Sequence, residues 1–305
     1  MRLVFFGTSP FAVPALRAVA PDVVLVVTQP DRPAGRGRKL RATPVKEAAE
    51  ELGLPVVAPE RARNKEFVSS IRQLDADALL LAAYGQILPE SLLGAARRGG
   101  INLHASALPY YRGAAPIQRA LLAGETETGV TLMQMDKGMD TGDIIAIERL
   151  VIGPDETAGE LEARLGEVAA RMAKEWMRRI AAGDYPRTPQ EHDNATLAPK
   201  MGRGEGELRF EMSAEEAYRR FRACTPRPGV SLATRFGGLR VRSARLDLSV
   251  SAQAGVAASV GDEGLTVGFA DGGLRLKHVQ LEGRKQVSGL DFANGVRLRP
   301  GDSLA

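Results

Sequence analysis

The chain has 305 residues, long enough for two domains with cores of their own, and its 44% hydrophobic and 26% charged content is that of an ordinary globular protein. A single cysteine, Cys224, excludes an internal disulfide and any cysteine-cluster metal site, and three scattered histidines supply no ligand spacing for a metal. The net charge of +4 is too small to name an anionic partner by itself.

The opening MRLVFFGTSPF lacks the long apolar core and small-residue cleavage site of a secretory leader. Residues 3–6 are therefore predicted as a buried first strand, ended by Gly7, Thr8, Ser9 and Pro10. Apolar residues at helical spacing predict a helix over 11–19. Residues 23–27, VVLVV, are an unbroken run of the kind found in parallel strands covered on both faces. Helices follow at 45–52 and 64–73, an extended stretch at 55–58, and all-apolar strands at 78–83 and 101–104. Strands spaced by helices imply βαβ units and an α/β, open, mostly parallel sheet. In such sheets ligands lie outside the carboxyl ends of the strands, which is where Ala83-Tyr84-Gly85 and Asn102 with His104 fall.

A long helix is predicted over 157–182, with Leu161, Leu165, Val168, Met172, Trp176 and Ile180 forming its core stripe. Periodicity disappears over 184–207, where Pro, Gly, Asp and Asn prevail, and this reads as a linker. One more helix, at 214–224, precedes short β-type runs at 229–235, 239–248, 265–269 and 274–281, separated by Gly-rich turns. That rhythm predicts a small β-barrel or sandwich, and the chain divides into an α/β domain (1–183), a linker (184–207) and a β-rich domain (208–305). No segment approaches the roughly 18 apolar residues of a membrane span. A cytoplasmic monomer is expected.

The first strand runs into FFGTSPFAVP, which has one glycine where a dinucleotide fingerprint needs three. The second strand ends in Thr28-Gln29 rather than an acidic residue, which argues against a nicotinamide enzyme. GRGRKL has neither the spacing nor the Ser/Thr of a phosphate-binding loop. What remains is INLHASALPYYRG, followed by DKGMDTGDII with Asp136, Asp140 and Asp143 among glycines. Asn102 and His104, two apart on a strand, point to one face. An amide that donates to a developing oxyanion, an imidazole that moves a proton and a carboxylate that orients it can together run acyl transfer. Taken singly, each has a plain structural reading: Asn102 as a turn cap, His104 as a satisfied core residue, Asp140 as a loop end.

The string INLHASALPYYRGAAPIQRALLAGETETGVTLMQMDKGMDTGDII strongly resembles the core motif of the folate-dependent formyltransferases. TQPDRPAGRGRKLRATPVK at 28–46, AAYGQILP at 82–89 and LAPKM at 197–201 extend the resemblance over most of the chain. It implies the family's Rossmann-like formyltransferase fold with an OB-like second domain. It also implies a catalytic set of Asn102, His104 and Asp140, with 10-formyltetrahydrofolate as formyl donor and no metal. Asn102 and His104 would stabilise the oxygen of the tetrahedral intermediate. Asp140 would orient His104, raise its basicity and position a water. The folate would lie against Ala82, Ala83, Tyr84, Gly85, Ile87 and Leu88, against Ser106, Ala107, Leu108 and Pro109, and against Asp136. Ala107 is a mild departure from the family's motif.

Family members differ in the amine they formylate, and the resemblance is closest to those acting on the α-amine of methionyl initiator tRNA. An amino-sugar formyltransferase shares the two-domain layout, and a formyltetrahydrofolate hydrolase shares the core. A non-catalytic RNA-binding protein on this scaffold would lack the Asn/His/Asp set. Two basic stretches favour tRNA. DRPAGRGRKLR at 31–41 holds five Arg or Lys residues, with Arg36, Arg38, Lys39 and Arg41 the expected contacts. Residues 196–245 carry eleven basic against five acidic side chains, with Lys200, Arg240 and Arg242 the expected contacts there, Arg245 following.

Overall fold

The computed structural model describes residues 1–34, 39–202 and 204–305. The chain divides into two compact units, the first comprising Met1–Pro116, Glu127–Val151 and Glu162–Pro199, the second Ile117–Thr126, Ile152–Leu161 and Lys200–Ala305.

The elements up to residue 182 are β1 (Leu3–Gly7), α1 (Ala12–Val19), β2 (Val23–Val27), β3 (Arg32–Ala34), β4 (Lys39–Arg41), α2 (Pro44–Glu51), β5 (Val56–Val57), α3 (Lys65–Gln73), β6 (Ala78–Ala82), α4 (Glu90–Leu93), β7 (Gly100–His104), α5 (Pro116–Ala123), β8 (Glu127–Gln134), β9 (Ile144–Val151) and α6 (Ala158–Ala182). One sheet in the order β5-β2-β1-β6-β7-β8-β9 carries the first unit. From β5 to β7 the strands run parallel, and β8 and β9 are added antiparallel. The central strands are apolar without alternation because both faces are covered. LVFFG of β1 and ALLLA of β6 are buried at every position. Helix starts follow local capping. Thr43 accepts from the backbone N–H of Lys46 at 3.1 Å, and Asn64 from that of Glu66 at 2.8 Å. The order reverses direction between β1 and β6, so the carboxyl ends of β1, β6 and β7 border the crevice such sheets use for ligands.

The pattern reading names neither α5 nor β9. It also treats 184–199 as linker, whereas this stretch joins the first unit through bonds that composition does not reveal. Thr188 and Ile144 exchange backbone hydrogen bonds of 2.8 and 2.9 Å, and Leu197 pairs with Arg112.

The second unit contains β10 (Glu207–Leu208), α7 (Ala214–Cys224), β11 (Val230–Thr234), β12 (Gly237–Asp247), β13 (Ala257–Gly261), β14 (Gly264–Gly268), β15 (Gly273–Leu281), β16 (Val287–Ser288) and α8 (Gly289–Gly295). Its sheet runs β10-β11-β12-β15-β14-β13, with β16 on β15, and is antiparallel except where β10 meets β11. Phe221, Phe269, Leu274 and Leu276 centre its core. Along β12 the buried Leu239, Val241 and Ala244 are interspersed with the exposed Arg240, Arg242 and Arg245, one face in the core and one in water.

Leu80 is completely buried in the middle of β6. Leu80→Ala is expected to cost about 2–5 kcal/mol through lost burial and the cavity it leaves. A urea titration of the two proteins should show a lower midpoint, and an unchanged midpoint would remove β6 from the core.

Candidate functional site

β7 ends the parallel part of the sheet, and its side chains at Asn102 and His104 share a face. β8 runs back alongside it in a register that pairs Asn102 with Met133 and His104 with Thr131. The turn after β8 folds over that face and delivers Asp140. The Asp140 carboxylate is the meeting point. Its Oδ1 lies 3.5 Å from Asn102 Nδ2, and its Oδ2 lies 3.6 Å from His104 Nδ1 and accepts from the Gly113 backbone N–H at 2.9 Å. The His104 side chain is 7% exposed and that of Asp140 16%, so the pair is largely removed from water. Such burial strengthens whatever charge interaction develops there.

The other ring nitrogen fixes the tautomer. His104 Nε2 is 2.9 Å from the Tyr111 carbonyl oxygen, which can only accept, so the proton sits on Nε2. Nδ1 is then the nitrogen with a free lone pair, and it faces Asp140. A proton arriving on Nδ1 lands between the ring and a carboxylate. Asn102 spends one amide N–H toward Asp140 and keeps the second for another acceptor. The arrangement holds a proton acceptor and an oxyanion donor side by side.

Backbone geometry holds these groups at a cost. Asp140, Tyr111 and Ala83 adopt φ of 55°, 60° and 44°, the left-handed region that non-glycine residues avoid. Gly113 has φ of 123°, and a Cβ there would approach the Ala198 carbonyl oxygen at 2.8 Å, so only glycine passes between Ala198 and the Asp140 carboxylate.

The residues expected to line the folate fall into two groups. Ala83, Gly85 and Ile87 are exposed at the end of β6, Ile87 at 87%, and Asp136 is exposed in the turn before Asp140. Asp136 closes its own turn, accepting from Gly138 N–H at 2.9 Å and from the Thr141 hydroxyl at 2.7 Å. Ala82, Tyr84, Leu88, Ser106, Ala107 and Leu108, by contrast, are buried, while Pro109 is half-buried. The Tyr84 ring packs edge-on against Phe6 at 5.3 Å, and burial pushes its phenol up to about 12. What Tyr84 offers the crevice is its backbone, and its carbonyl already accepts from the Thr8 hydroxyl at 2.8 Å and the Gln29 amide at 3.2 Å. The Ser106 hydroxyl donates to Tyr110 O at 2.6 Å within its loop.

Of the expected tRNA contacts, Arg36 and Arg38 lie outside the described residues, as does the side chain of Lys39. Arg41, Lys200, Arg240 and Arg242 are exposed, Arg242 donating to Gln280 at 2.6 Å. Arg245 is engaged with Asp155 at 3.4 Å. No group of three or more His, Cys, Asp or Glu side chains among the described residues is placed to hold a metal ion, and no described helix is long and apolar enough to cross a membrane.

Comparison with known proteins identifies the family. Residues 1–176 match the formyl transferase family and residues 200–297 the formyl transferase C-terminal domain. The chain belongs to the formyl transferase family. A methionyl-tRNA formyltransferase of Sorangium cellulosum is 45% identical over 306 residues, covering 99% of this chain and 98% of the relative. One from Thermus thermophilus is 44% identical, covering 100% and 99%. Among solved structures, HypX from Aquifex aeolicus in complex with tetrahydrofolic acid superimposes with a TM-score of 0.67 at 17% identity, over 96% of this chain and 47% of that one. An N-formyltransferase from Helicobacter canadensis, solved with folinic acid and dTDP-3-aminofucose, gives 0.65 at 18% identity over 94% and 100%. At those identities the likeness is one of fold.

Two side chains that the sequence reading passes over brace the loops around Asp140 and Ser106. Gln190 lies beneath the Asp140 turn. Thr131, wholly buried on β8, donates to Ser106 O at 2.7 Å and accepts from Leu108 N–H at 3.0 Å. Thr131→Val keeps the shape but leaves both backbone groups unpaired, at about 1–3 kcal/mol each. Calorimetry is expected to show a clearly lowered melting temperature for Thr131→Val and a near-native one for Thr131→Ser. Equal melting of the two variants would leave the hydroxyl without a structural part.

Proposed function

We propose that this chain transfers the formyl group of 10-formyltetrahydrofolate to the α-amine of methionyl initiator tRNA. The observation that carries the reading is the approach of Asn102 and His104 to the Asp140 carboxylate, in a chain matched over its full length by relatives named for that reaction. The amine must attack neutral. Its nitrogen forms a bond to the formyl carbon, and the bond from that carbon to the folate N10 breaks. The amine gives up one proton and the departing nitrogen takes one up. His104 Nδ1 backed by Asp140 is the group that accepts and returns it, and the free N–H of Asn102 donates to the formyl oxygen as charge builds there. The exposed Ala83, Gly85 and Ile87 at the end of β6 offer backbone groups and an apolar surface suited to a flat heterocycle.

The tRNA is held through its backbone by basic side chains. In the sequence Arg36, Arg38, Lys39 and Arg41 follow β2 within one basic stretch, and Lys200, Arg240 and Arg242 are the contacts assigned to the second unit. An RNA carries the charge that makes such surfaces useful, whereas a small amino sugar leaves them without a role.

His104→Ala and Asp140→Ala are each expected to lower turnover by about 10² to 10⁴ and Asn102→Ala by about 10² or more, with folate binding kept. Formylmethionine release from charged initiator tRNA, followed under saturating substrates, is the measurement. Near-native turnover in His104→Ala or Asp140→Ala would sink the assignment. Neutralising Arg36, Arg38, Lys39 and Arg41 together should weaken tRNA use and flatten its salt dependence, because fewer counterions are released. Kinetics at several salt concentrations would show this, and an unchanged slope would return the stretch to an ordinary solvated loop.

A further inference from the structure

Asp140 is held by more than its own carboxylate contacts. Its left-handed backbone, φ 55°, sits in a turn whose carbonyls face inward toward Gln190. The Gln190 amide Nε2 donates to Asp140 O at 2.9 Å and to Gly142 O at 2.7 Å, gripping the turn on both sides of Thr141. Its Oε1 accepts from Arg112 Nε at 3.1 Å and Arg112 Nη2 at 2.6 Å. The guanidinium can only donate, so it fixes which end of the amide faces the turn. Arg112 is 6% exposed and Gln190 5%, and Arg112 Nη2 also reaches His192 Nδ1 at 3.0 Å, which must accept. The next residue along from Arg112 is Gly113, whose N–H holds the Asp140 carboxylate. One short segment therefore grips Asp140 twice: the Gly113 N–H holds the carboxylate directly, and the Arg112 side chain holds the Asp140 backbone through Gln190.

We propose that Gln190 is a positioning residue for the transfer reaction: turned by Arg112, it sets the backbone of the Asp140 turn and so the reach of the carboxylate to His104 and Asn102. The proposal rests on reading Asp140 as the carboxylate partner of His104. Gln190 reaches the Asp140 turn rather than the reacting atoms, and its effect passes through Asp140.

That dependence supplies the test. Single-turnover formylation of charged initiator tRNA is measured for Gln190→Ala in the native background and in an Asp140→Asn background. In the native background the substitution is expected to lower the rate by about 10- to 100-fold while the folate KM moves less than about threefold, the signature of a misplaced group rather than a lost binding contact. In the Asp140→Asn background it is expected to cost less than about twofold, because residues acting as one unit are not additive. An equal loss in both backgrounds, or no loss in the native one, overturns the proposal. If Asp140→Asn alone keeps its activity, the catalytic reading fails first, and the two failures are told apart. Gln190→Glu covers the case in which Gln190→Ala does not fold. It keeps the volume and the partner for Arg112 but turns carboxylate oxygens on the two carbonyls. It is expected to lose at least about tenfold in rate, and native activity in Gln190→Glu overturns the proposal.

Discussion

The site depends on bringing a turn back over the sheet from the wrong end. β8 pairs antiparallel with β7 and finishes at Gln134, opposite Ile101, whereas His104 lies three residues further along β7. Three residues of strand are about 10 Å. The turn between β8 and β9 begins with Met135 N–H bonded to Gly100 O, at the amino end of β7, and must still deliver Asp140 beside His104. Left to local preference, DKGMDTGD would form a tight, solvated connection. What draws it over the face is tertiary: the Gly113 N–H on the carboxylate, the Gln190 amide on two carbonyls, and the Gln134 amide fastened to Arg98 and Gly100 carbonyls at the turn's root. Gly142 is required there because a Cβ would collide with the Gln134 carbonyl oxygen.

This separates what was legible in the sequence from what was not. VVLVV and ALLLA announce themselves as buried parallel strands because an apolar run without alternation has few other stable fates, and 23–27 and 214–224 are helix or strand over the limits read from pattern alone. The Asn102/His104 spacing is legible for a similar reason: period two on a strand puts both on one face. Asp140 needed the family motif, since an aspartate among glycines has a plain turn reading. β9 escaped because IIAIERLV alternates only loosely at an edge, only Ile145 of its eight residues being buried. Gln190 carried no signal at all. A lone glutamine in a Pro- and Asp-rich stretch looks like linker, and its importance comes entirely from partners 48 to 78 positions away in the chain.

Several motif residues turn out to serve the scaffold under the chemistry. Ser106, Ala107 and Leu108 are buried, and the hydroxyl of Thr131 joins the carbonyl of one to the N–H of another. That clamp fixes the path of the chain from His104 to Tyr111, whose carbonyl in turn sets the tautomer of His104. The path of the chain after His104 thus places the carbonyl that accepts from Nε2. Tyr84 belongs to the same class, with its ring in the core and its carbonyl tying β6 to Thr8 and Gln29.

Arg112 shows how charge is managed in this arrangement. A nearly buried guanidinium ordinarily finds a carboxylate, and Asp140 is within the same small network. Here its side-chain partners are neutral acceptors instead, Gln190 Oε1 and His192 Nδ1. Hydrogen bonds to a charged group are each worth about 1.5–3 kcal/mol, enough between them to offset much of the desolvation without a counter-ion. The consequence falls on Asp140. Had Arg112 paired with it directly, a fixed cation would stand against the carboxylate. By interposing Gln190, the fold uses the arginine's rigidity to hold the Asp140 turn without an ion pair between the two charged side chains.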